Sequence, residues 1–349
     1  MVSIGVYGAT GYTGRFVAAE LVQRGHHVIL GGRDAAGLAQ LAATLDAGCE
    51  VCPARIDDAD ALRRFAKRCA VLINCAGPFS RYGQPAAEAA IAAGAHYLDH
   101  TSEPAYVHRL MGELGRAARR AGVTVVAGMT FYTGIADLIA RRLAAPMGPV
   151  SLVKIAYAIK GWQLTPASLA TAAALADSDR VTYRDGTRQV SRSSSDAALA
   201  KFAFPLPVGV QPVITEYQGC CEAVTVPRHT RTAAVETCIT VATFAGTDLT
   251  SHPGSPDASA HETSTQFTTV VDAYNGTDHR RSWISGSGDL YRIGAVVSAE
   301  AAGLLAAGKG AAAGVVSPAE AFAETGLLDS LLGMSFIEGG LHTEINPQA

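Results

Sequence analysis

The sequence predicts an α/β protein in two parts. An N-terminal, doubly wound parallel sheet covers residues 1–132, and a C-terminal α+β domain with a mostly antiparallel sheet covers 133–349. Three observations predict this. Short apolar segments alternate with helical ones at least five times before residue 130, and parallel strands need such crossovers. The early strands are apolar throughout, as expected when both faces of a sheet are covered. Beyond residue 130, longer alternating strands succeed one another across turn-rich segments, a pattern of antiparallel pairing.

In order, Val2–Tyr7 reads as a strand ending at Gly8, and Gly14–Arg24 as a helix with Phe16, Val17, Leu21 and Val22 on one side. His27–Leu30, Glu50–Ile56, Ala70–Cys75, Tyr97–Asp99 and Val123–Ala127 read as the next strands. Between them lie helices over Asp34–Leu45, Asp58–Lys67, Pro85–Ala93 and Val107–Ala121, the last two stopped by Gly94 and Gly122. The second part offers strands at Val150–Ile159, Val213–Tyr217, Val235–Phe244, Phe267–Tyr274 and Arg280–Ser285. The polar stretches Ser191–Ser195 and Thr247–Thr265 are expected to be mobile loops. Helices are predicted over Asp289–Ala307 and Pro318–Leu332, the latter capped by Ser317 with Pro at its first position. These last helices are expected to pack back on the first domain.

Composition narrows the function classes. The chain of 349 residues is 48% hydrophobic and 17% charged, enough to bury a core and too apolar for disorder. A net charge of −3, with no basic run of five, gives no nucleic-acid footprint. No uncharged apolar stretch reaches 18 residues, and no charged-then-apolar leader opens the chain, so neither membrane insertion nor a signal peptide is expected. The seven cysteines include a C-x-x-C pair, Cys49 and Cys52, with no second pair to complete a metal site. They read as free thiols in a reducing, cytoplasmic compartment. Glycine, at 36 residues, is in excess and falls at strand–helix corners.

One of those corners is informative. Gly8-Ala-Thr-Gly11-Tyr-Thr-Gly14 comes directly after a strand and opens a helix. Small residues let the backbone approach a pyrophosphate, and the helix N-terminus offers free N–H groups and positive dipole. Gly8, Thr10, Gly11, Tyr12, Thr13 and Gly14 are therefore the first cofactor candidates of a Rossmann-type domain. The competing reading is a glycine corner with no ligand. At the end of the second strand, Arg33 suits a 2′-phosphate better than a hydroxyl, which favours NADP(H) over NAD(H). Otherwise Arg33 is a solvated loop charge, and Asp34 caps the next helix. Asp57 lies where an adenine rim is expected. Asn74, Ala76, Gly77 and Pro78 end the fourth strand, where Gly77 permits close approach to the cofactor.

With these segments read, the chain resembles the saccharopine dehydrogenase-like reductases, and within them the branch of trans-acting enoyl reductases. The carrying motifs are GATGYTG at Gly8–Gly14, LGGRD at Leu30–Asp34, NCAGPFSRYG at Asn74–Gly83 and GAHYLDHTSE at Gly94–Glu103. Gly288–Tyr291 and Gly314–Pro318 add weaker echoes. The resemblance covers residues 1–140 and parts of 280–332, and leaves 160–265 unaligned. It implies an NAD(P)H-dependent reductase whose second domain covers the nicotinamide and often forms a homodimer. Family members reduce imines, activated alkenes or carbonyls. Two departures stand out. His100 and Ser102 interrupt the family's Asp-x-Thr-Gly-Glu pattern, and the segment Gly128–Leu138 lacks the family's proline.

Hydride transfer needs a substrate carbon held against the cofactor and a proton source. No Tyr has a Lys four residues later, so the short-chain dehydrogenase dyad is excluded; Tyr157 and Lys160 are three apart on a strand and face opposite sides. The remaining donors lie at carboxyl ends of strands, where such folds bind ligands. Tyr132, His100 and Tyr82 are the catalytic candidates. Asp99 and Glu103 are candidates for orienting His100 or touching substrate, and Lys160 and Trp162 for reaching into the cleft. Each has a plainer alternative: packing for Tyr132, a hydrogen-bonded corner for His100, a solvated strand end for Lys160 and a core ring for Trp162. His229, His252, His261 and His279 read as solvent-facing loop residues, and no metal site is expected.

The expected activity is NADPH-dependent reduction of a C=C, C=N or C=O bond in a small biosynthetic intermediate of secondary-metabolite or lipid type. Two alternatives remain. A saccharopine-type C–N amino-acid dehydrogenase would want several cations in its cleft, where the sequence offers Arg228 and Arg231. A non-catalytic NADP(H)-binding sensor or scaffold would need only the first domain's cleft.

Overall fold

The computed structural model describes residues 2–45, 49–192, 198–245, 265–310 and 313–347. Most of both predicted mobile loops, including His252 and His261, lies outside the described residues.

The first sheet is built from β1 (Ser3–Tyr7), β2 (His27–Gly32), β3 (Glu50–Pro53), β4 (Val71–Asn74), β5 (His96–Asp99) and β6 (Thr124–Val126). Helices α1 (Tyr12–Gln23), α2 (Ala35–Thr44), α3 (Ala59–Ala66), α4 (Phe79–Ala93) and α5 (Pro104–Ala121) make the crossovers. Next come α6 (Thr133–Ala144), β7 (Val150–Lys160), α7 (Pro166–Ala176), β8 (Arg180–Arg184), β9 (Thr187–Ser191), β10 (Leu199–Ala203), β11 (Val210–Thr215), α8 (Glu222–Thr225) and β12 (Thr232–Thr240). The chain closes with β13 (Gln266–Asn275), β14 (Asp278–Ser287), α9 (Leu290–Ala306), β15 (Gly314–Val316), α10 (Pro318–Phe322), α11 (Leu327–Leu332) and β16 (Ile337–Ile345).

The fold is α/β, as the alternating pattern predicts. The first sheet is wholly parallel in the order β15-β6-β5-β4-β1-β2-β3. The second runs β10-β11-β12-β7-β13-β14-β16 and is antiparallel except where β12 lies parallel to β7. Helix α6 packs on β13, β14 and β7 of the second sheet and on helices α10 and α8, and one apolar core joins Val6, Met129 and Ile135 to Tyr157 and Val271.

Several expectations are corrected. Helix α4 begins at Phe79, six residues before the expected Pro85, because its first turn is held by a carboxylate from elsewhere in the chain. The helix expected over Pro318–Leu332 is two, divided at Gly326 with φ +79°. Helix α6 escaped prediction because it is buried along nearly its whole length, so its sequence has no polar face to betray a 3.6-residue period. Strand β15 is a seventh strand of the first sheet, contributed from near the chain's far end. Helix α9 lies against α1, and Tyr12 Oη donates to Asp289 at 2.6 Å. No described helix is long and apolar enough to cross a membrane.

Candidate functional site

The order of the first sheet reverses between β1 and β4, and ligands of such sheets bind where that happens. The chain leaves β1 through Gly8 at φ +77°, and a Cβ there would stand 3.0 Å from the Ala76 nitrogen. A Cβ on Gly14 would stand 2.2 Å from the Gly8 carbonyl oxygen, so α1 can approach its strand only because residue 14 has no side chain. Gly11 sits at the N-cap of α1 with no side-chain cap, which leaves first-turn N–H groups for a ligand. A cleft of about 940 Å³ opens over this corner, lined by Gly8, Thr10, Gly11, Arg33, Asp57 and Ala76, and continues along Gly77 and Pro78. These residues fit a dinucleotide: a cradle that a Cβ would fill, a free helix end and a cation.

Arg33 faces this cleft without a carboxylate hydrogen-bond partner among the described residues. Asp57 is held by Arg55, whose Nε and Nη2 donate at 3.0 and 2.9 Å, so Arg55 adds a second guanidinium to the same rim. Asp34 caps α2 by accepting from the Gly37 nitrogen. Two cofactor candidates have their side chains engaged within the protein. The Asn74 side chain is buried and accepts from the Ala76 nitrogen while donating to Tyr97, so it shapes the loop instead of touching a ligand. The Tyr12 phenol is committed to Asp289, leaving that residue only its backbone N–H for the cleft.

A second cavity, of about 170 Å³, shares Cys75, Gly77 and Ala167 with the cleft. Thr13, His100, Thr130, Tyr132, Trp162 and Tyr291 line it, among aliphatic and aromatic walls. No Lys, Arg, Asp or Glu is among the described residues lining it. Helix α7 forms one wall of both cavities. It is pinned there by Tyr291, whose phenol accepts from the Thr165 nitrogen and bonds Ser168 Oγ at 2.7 Å. Three polar atoms of this pocket are shut from solvent and have no partner among the described residues: Thr130 Oγ1, Tyr132 Oη and Trp162 Nε1. Each such group costs about 1–3 kcal/mol when left unpaired. Tyr132 lies edge-on to Tyr157 at 5.1 Å and to Trp162 at 5.8 Å between ring centroids. Burial, with nearby phenol and carboxyl groups, pushes its hydroxyl well above the ordinary tyrosine range.

His100 also reaches the pocket, but not as an acid. Burial pulls its pKa down to about 4, so the ring is uncharged at neutral pH. Its Nε2 lies 2.9 Å from Ser298 Oγ, and that hydroxyl donates to the Ala295 carbonyl at 3.1 Å. The hydroxyl's one proton is therefore used, so His100 Nε2 donates to it and Nδ1 is left as an acceptor.

Other candidates are placed elsewhere. Asp99 is fully buried and accepts from the Thr101 and Gly128 nitrogens and from Tyr106 Oη; it holds the β5 corner and lines neither cavity. Glu103 accepts from the Phe79 and Ser80 nitrogens and caps α4. Lys160 obeys the period of two on β7: Tyr157 and Ile159 face the core, while exposed Lys160 lines a separate cavity with Gln266 and Glu338. Tyr82 lines the dinucleotide cleft, not the apolar pocket. His229 is buried with Nε2 2.9 Å from Asp137, contrary to the solvent-facing expectation. Burial raises the Asp137 carboxyl, but His229 and the Ala319 N–H outweigh it and hold that group below its usual range. His279 stacks on Tyr274 and meets Asp272. No group of ligands able to hold a metal occurs among the described residues.

Sequence reasoning missed Thr130, Tyr291 and Glu222. Glu222 is fully buried behind the pocket, accepts from Tyr157 Oη at 2.7 Å and is pushed up by burial. It comes after Gly219-Cys220-Cys221, a segment with no periodic signal.

The fold is that of an α/β protein with a Rossmann-like first sheet, and its cleft has room for a dinucleotide. Residues 4–126 match the family model described as the saccharopine dehydrogenase NADP binding domain. Over 144 residues the chain is 31% identical to the lipid droplet localized protein of Caenorhabditis elegans, covering 38% of this chain and 34% of that protein. Over 152 residues it is 28% identical to a saccharopine dehydrogenase-like oxidoreductase of Bos taurus, covering 38% and 35%. Over 138 residues it is 29% identical to a trans-acting enoyl reductase of Mycobacterium bovis, covering 38% and 33%. The matches thus span about a third of each relative's length. Across nearly the whole chain the fold is similar to saccharopine dehydrogenase (L-Glu forming) from Saccharomyces cerevisiae, with a TM-score of 0.67, 12% identity, and coverage of 99% and 100%. An amine dehydrogenase from Mycobacterium smegmatis has a TM-score of 0.51 at 14% identity, covering 92% and 96%.

Proposed function

We propose that the protein is an NADPH-dependent reductase acting on a C=C, C=N or C=O bond of a small intermediate of secondary-metabolite or lipid type. The observation that supports this reading is that the glycine-lined cleft and the apolar pocket adjoin, with Cys75, Gly77 and Ala167 lining both. A nicotinamide bound in the cleft supplies a hydride. The chain's residues do the rest. The α1 N-terminus and its glycines take the pyrophosphate, Arg33 and Arg55 take the 2′-phosphate, and α7 screens the junction from water. Tyr132 keeps its proton at neutral pH and can donate a hydrogen bond to a substrate. His100 offers an acceptor on the opposite nitrogen from Ser298.

The name of the matched domain supports NADP, and the names of the relatives support reduction. The amino-acid dehydrogenase alternative finds no cation among the described residues lining the apolar pocket, neither Arg228 nor Arg231, and Arg228 pairs with Glu320 at 3.1 Å beside a different cavity. The test is to titrate NADPH by fluorescence, then track its oxidation with a panel of enones, ketones and imines. Binding with no oxidation by any of them would favour the sensor reading.

A further inference from the structure

The apolar pocket has a feature that reduction alone does not call for. Three buried atoms without a partner among the described residues, Thr130 Oγ1, Tyr132 Oη and Trp162 Nε1, can all donate, and the indole can do nothing else, while His100 Nδ1 is an acceptor in the same pocket. Thr130 and Tyr132 are more than nine-tenths buried, and their hydroxyls, with the Trp162 indole N–H, belong to residues that line a cavity together with Phe131, Leu164 and Phe244. Buried donors without partners are rare in folded proteins and mark a place where a ligand atom belongs. An indole N–H cannot accept, so the missing partner at Trp162 is an acceptor. The Tyr132 and Trp162 rings pack edge to face, 5.8 Å between centroids, and both residues line the same cavity.

We propose that this pocket recognises its substrate as an uncharged molecule, through a carbonyl oxygen that accepts hydrogen bonds from Tyr132 and Trp162, with Thr130 as a third donor. The inference rests on the reductase reading for the reaction that bound substrate undergoes, not for the binding itself. Charge decides against the other acceptors. A carboxylate would be stripped of water with no cation among the described lining residues, and the Glu222 carboxyl stands behind Tyr157. A protonated imine has no lone pair to offer the three donors, and it would meet a neutral acceptor in His100 Nδ1 but no carboxylate among the described lining residues. Size adds a constraint. At about 170 Å³ the cavity is smaller than the roughly 300–1,000 Å³ of pockets that hold a whole small ligand, so it takes the carbonyl end while the rest of the molecule extends outward. Donors arranged in this way also stabilise negative charge on that oxygen, which is where charge gathers when a conjugated carbonyl is reduced.

The test needs no cofactor. Benzylideneacetone, a neutral enone, is titrated into the full chain while its absorption band is recorded. Donors on the carbonyl oxygen move that band to longer wavelength. Trans-cinnamate and cinnamylammonium, of nearly the same shape, are titrated in parallel. The enone is expected to bind with a red-shifted band, at least about 10-fold more tightly than either ion. Tyr132→Phe and Trp162→Phe should each weaken it by about 10-fold, as for one lost hydrogen bond, and shrink the shift. Circular dichroism and thermal unfolding confirm that each variant is folded, and with two variants the test survives the loss of one. Tighter binding of either ion overturns the proposal, as does no enone binding, or enone binding indifferent to both substitutions. Because NADPH binding is measured separately, a chain that binds NADPH but not the enone loses this inference alone. A chain that binds the enone but not NADPH loses only the cofactor reading.

Discussion

Glu103 caps helix α4 from the far side of β5: its two carboxylate oxygens accept the Phe79 and Ser80 N–H groups at 2.6 and 2.8 Å. The N-cap residue is Pro78, which supplies no side-chain acceptor, so the helix end and its dipole depend on a residue 24 positions beyond Phe79. The same contact fixes Gly77 and Pro78, where the two cavities meet. Glu103→Ala should cost about 1–3 kcal/mol, because it strips one buried and one partly buried N–H group of a charged acceptor. Urea unfolding at neutral pH reads this directly. An unchanged midpoint would show that the cap carries no stability.

The glycine corner makes a sharper demand. Gly14→Ala places a methyl group 2.2 Å from the Gly8 carbonyl oxygen, a backbone atom that cannot rotate away. The β1–α1 corner must open, and the cradle for the pyrophosphate with it. NADPH affinity is expected to fall by at least about 10-fold, a loss of about 1.4 kcal/mol. Gly77→Ala is the contrasting case. Its Cβ would stand 3.4 Å from a Phe79 ring carbon and from Thr171 Oγ1, both side-chain atoms. It should fold normally and bind NADPH more tightly than Gly14→Ala does. Equal affinities for the two variants would contradict a corner closed by Gly14.

Arg33 separates the two nicotinamide cofactors. If its guanidinium meets a 2′-phosphate, Arg33→Ala should weaken NADPH by about 1–3 kcal/mol and leave NADH nearly unchanged. Isothermal titration with each cofactor decides it. Arg55 is tied to Asp57 by two hydrogen bonds, so Arg55→Ala should cost less than Arg33→Ala. Equal losses of NADPH and NADH on replacing Arg33 would remove it from cofactor selection.

The sequence is most legible where local rules and the site coincide. Gly8, Gly11 and Gly14 announce themselves because a phosphate-binding corner requires small residues at fixed offsets, and the alternation of strands and helices is repeated often enough to define a parallel sheet. Charged residues near the site mislead for one physical reason. Asp99 and Glu103 look like catalytic carboxylates at a strand end, but an acidic side chain also satisfies buried N–H groups, and spacing alone cannot separate the two uses. Lys160 and Trp162 are two apart in sequence and line different cavities. Trp162 lies past the end of β7, beyond the strand's alternation. Strand β15 is illegible because three residues carry almost no periodicity, and its place in the first sheet is set by a partner nearly 190 positions away.

Asp99 and His100 are adjacent in sequence and titrate in opposite senses. Burial raises the Asp99 carboxyl to about 6 despite hydrogen bonds from Gly128, Thr101 and Tyr106, against about 3.9 when unfolded. The folded chain therefore holds that proton more tightly. The resulting stabilisation is present below about pH 4 and lost as pH rises through about 6. Burial lowers His100 to about 4, against about 6.5 unfolded. Its contribution is present above about pH 6.5 and is lost as pH falls toward about 4. Each shift corresponds to about 3 kcal/mol, and between about pH 4 and 6 the two slopes oppose. Replacing one residue should uncover the other. Asp99→Asn should become more stable, relative to the parent, as pH rises across that window, and His100→Gln less so. Urea unfolding at half-unit pH steps gives both curves. If Asp99→Asn shows the parent's slope, the carboxyl at the β5 corner is not titrating on folding, and its hydrogen bonds have already compensated its burial.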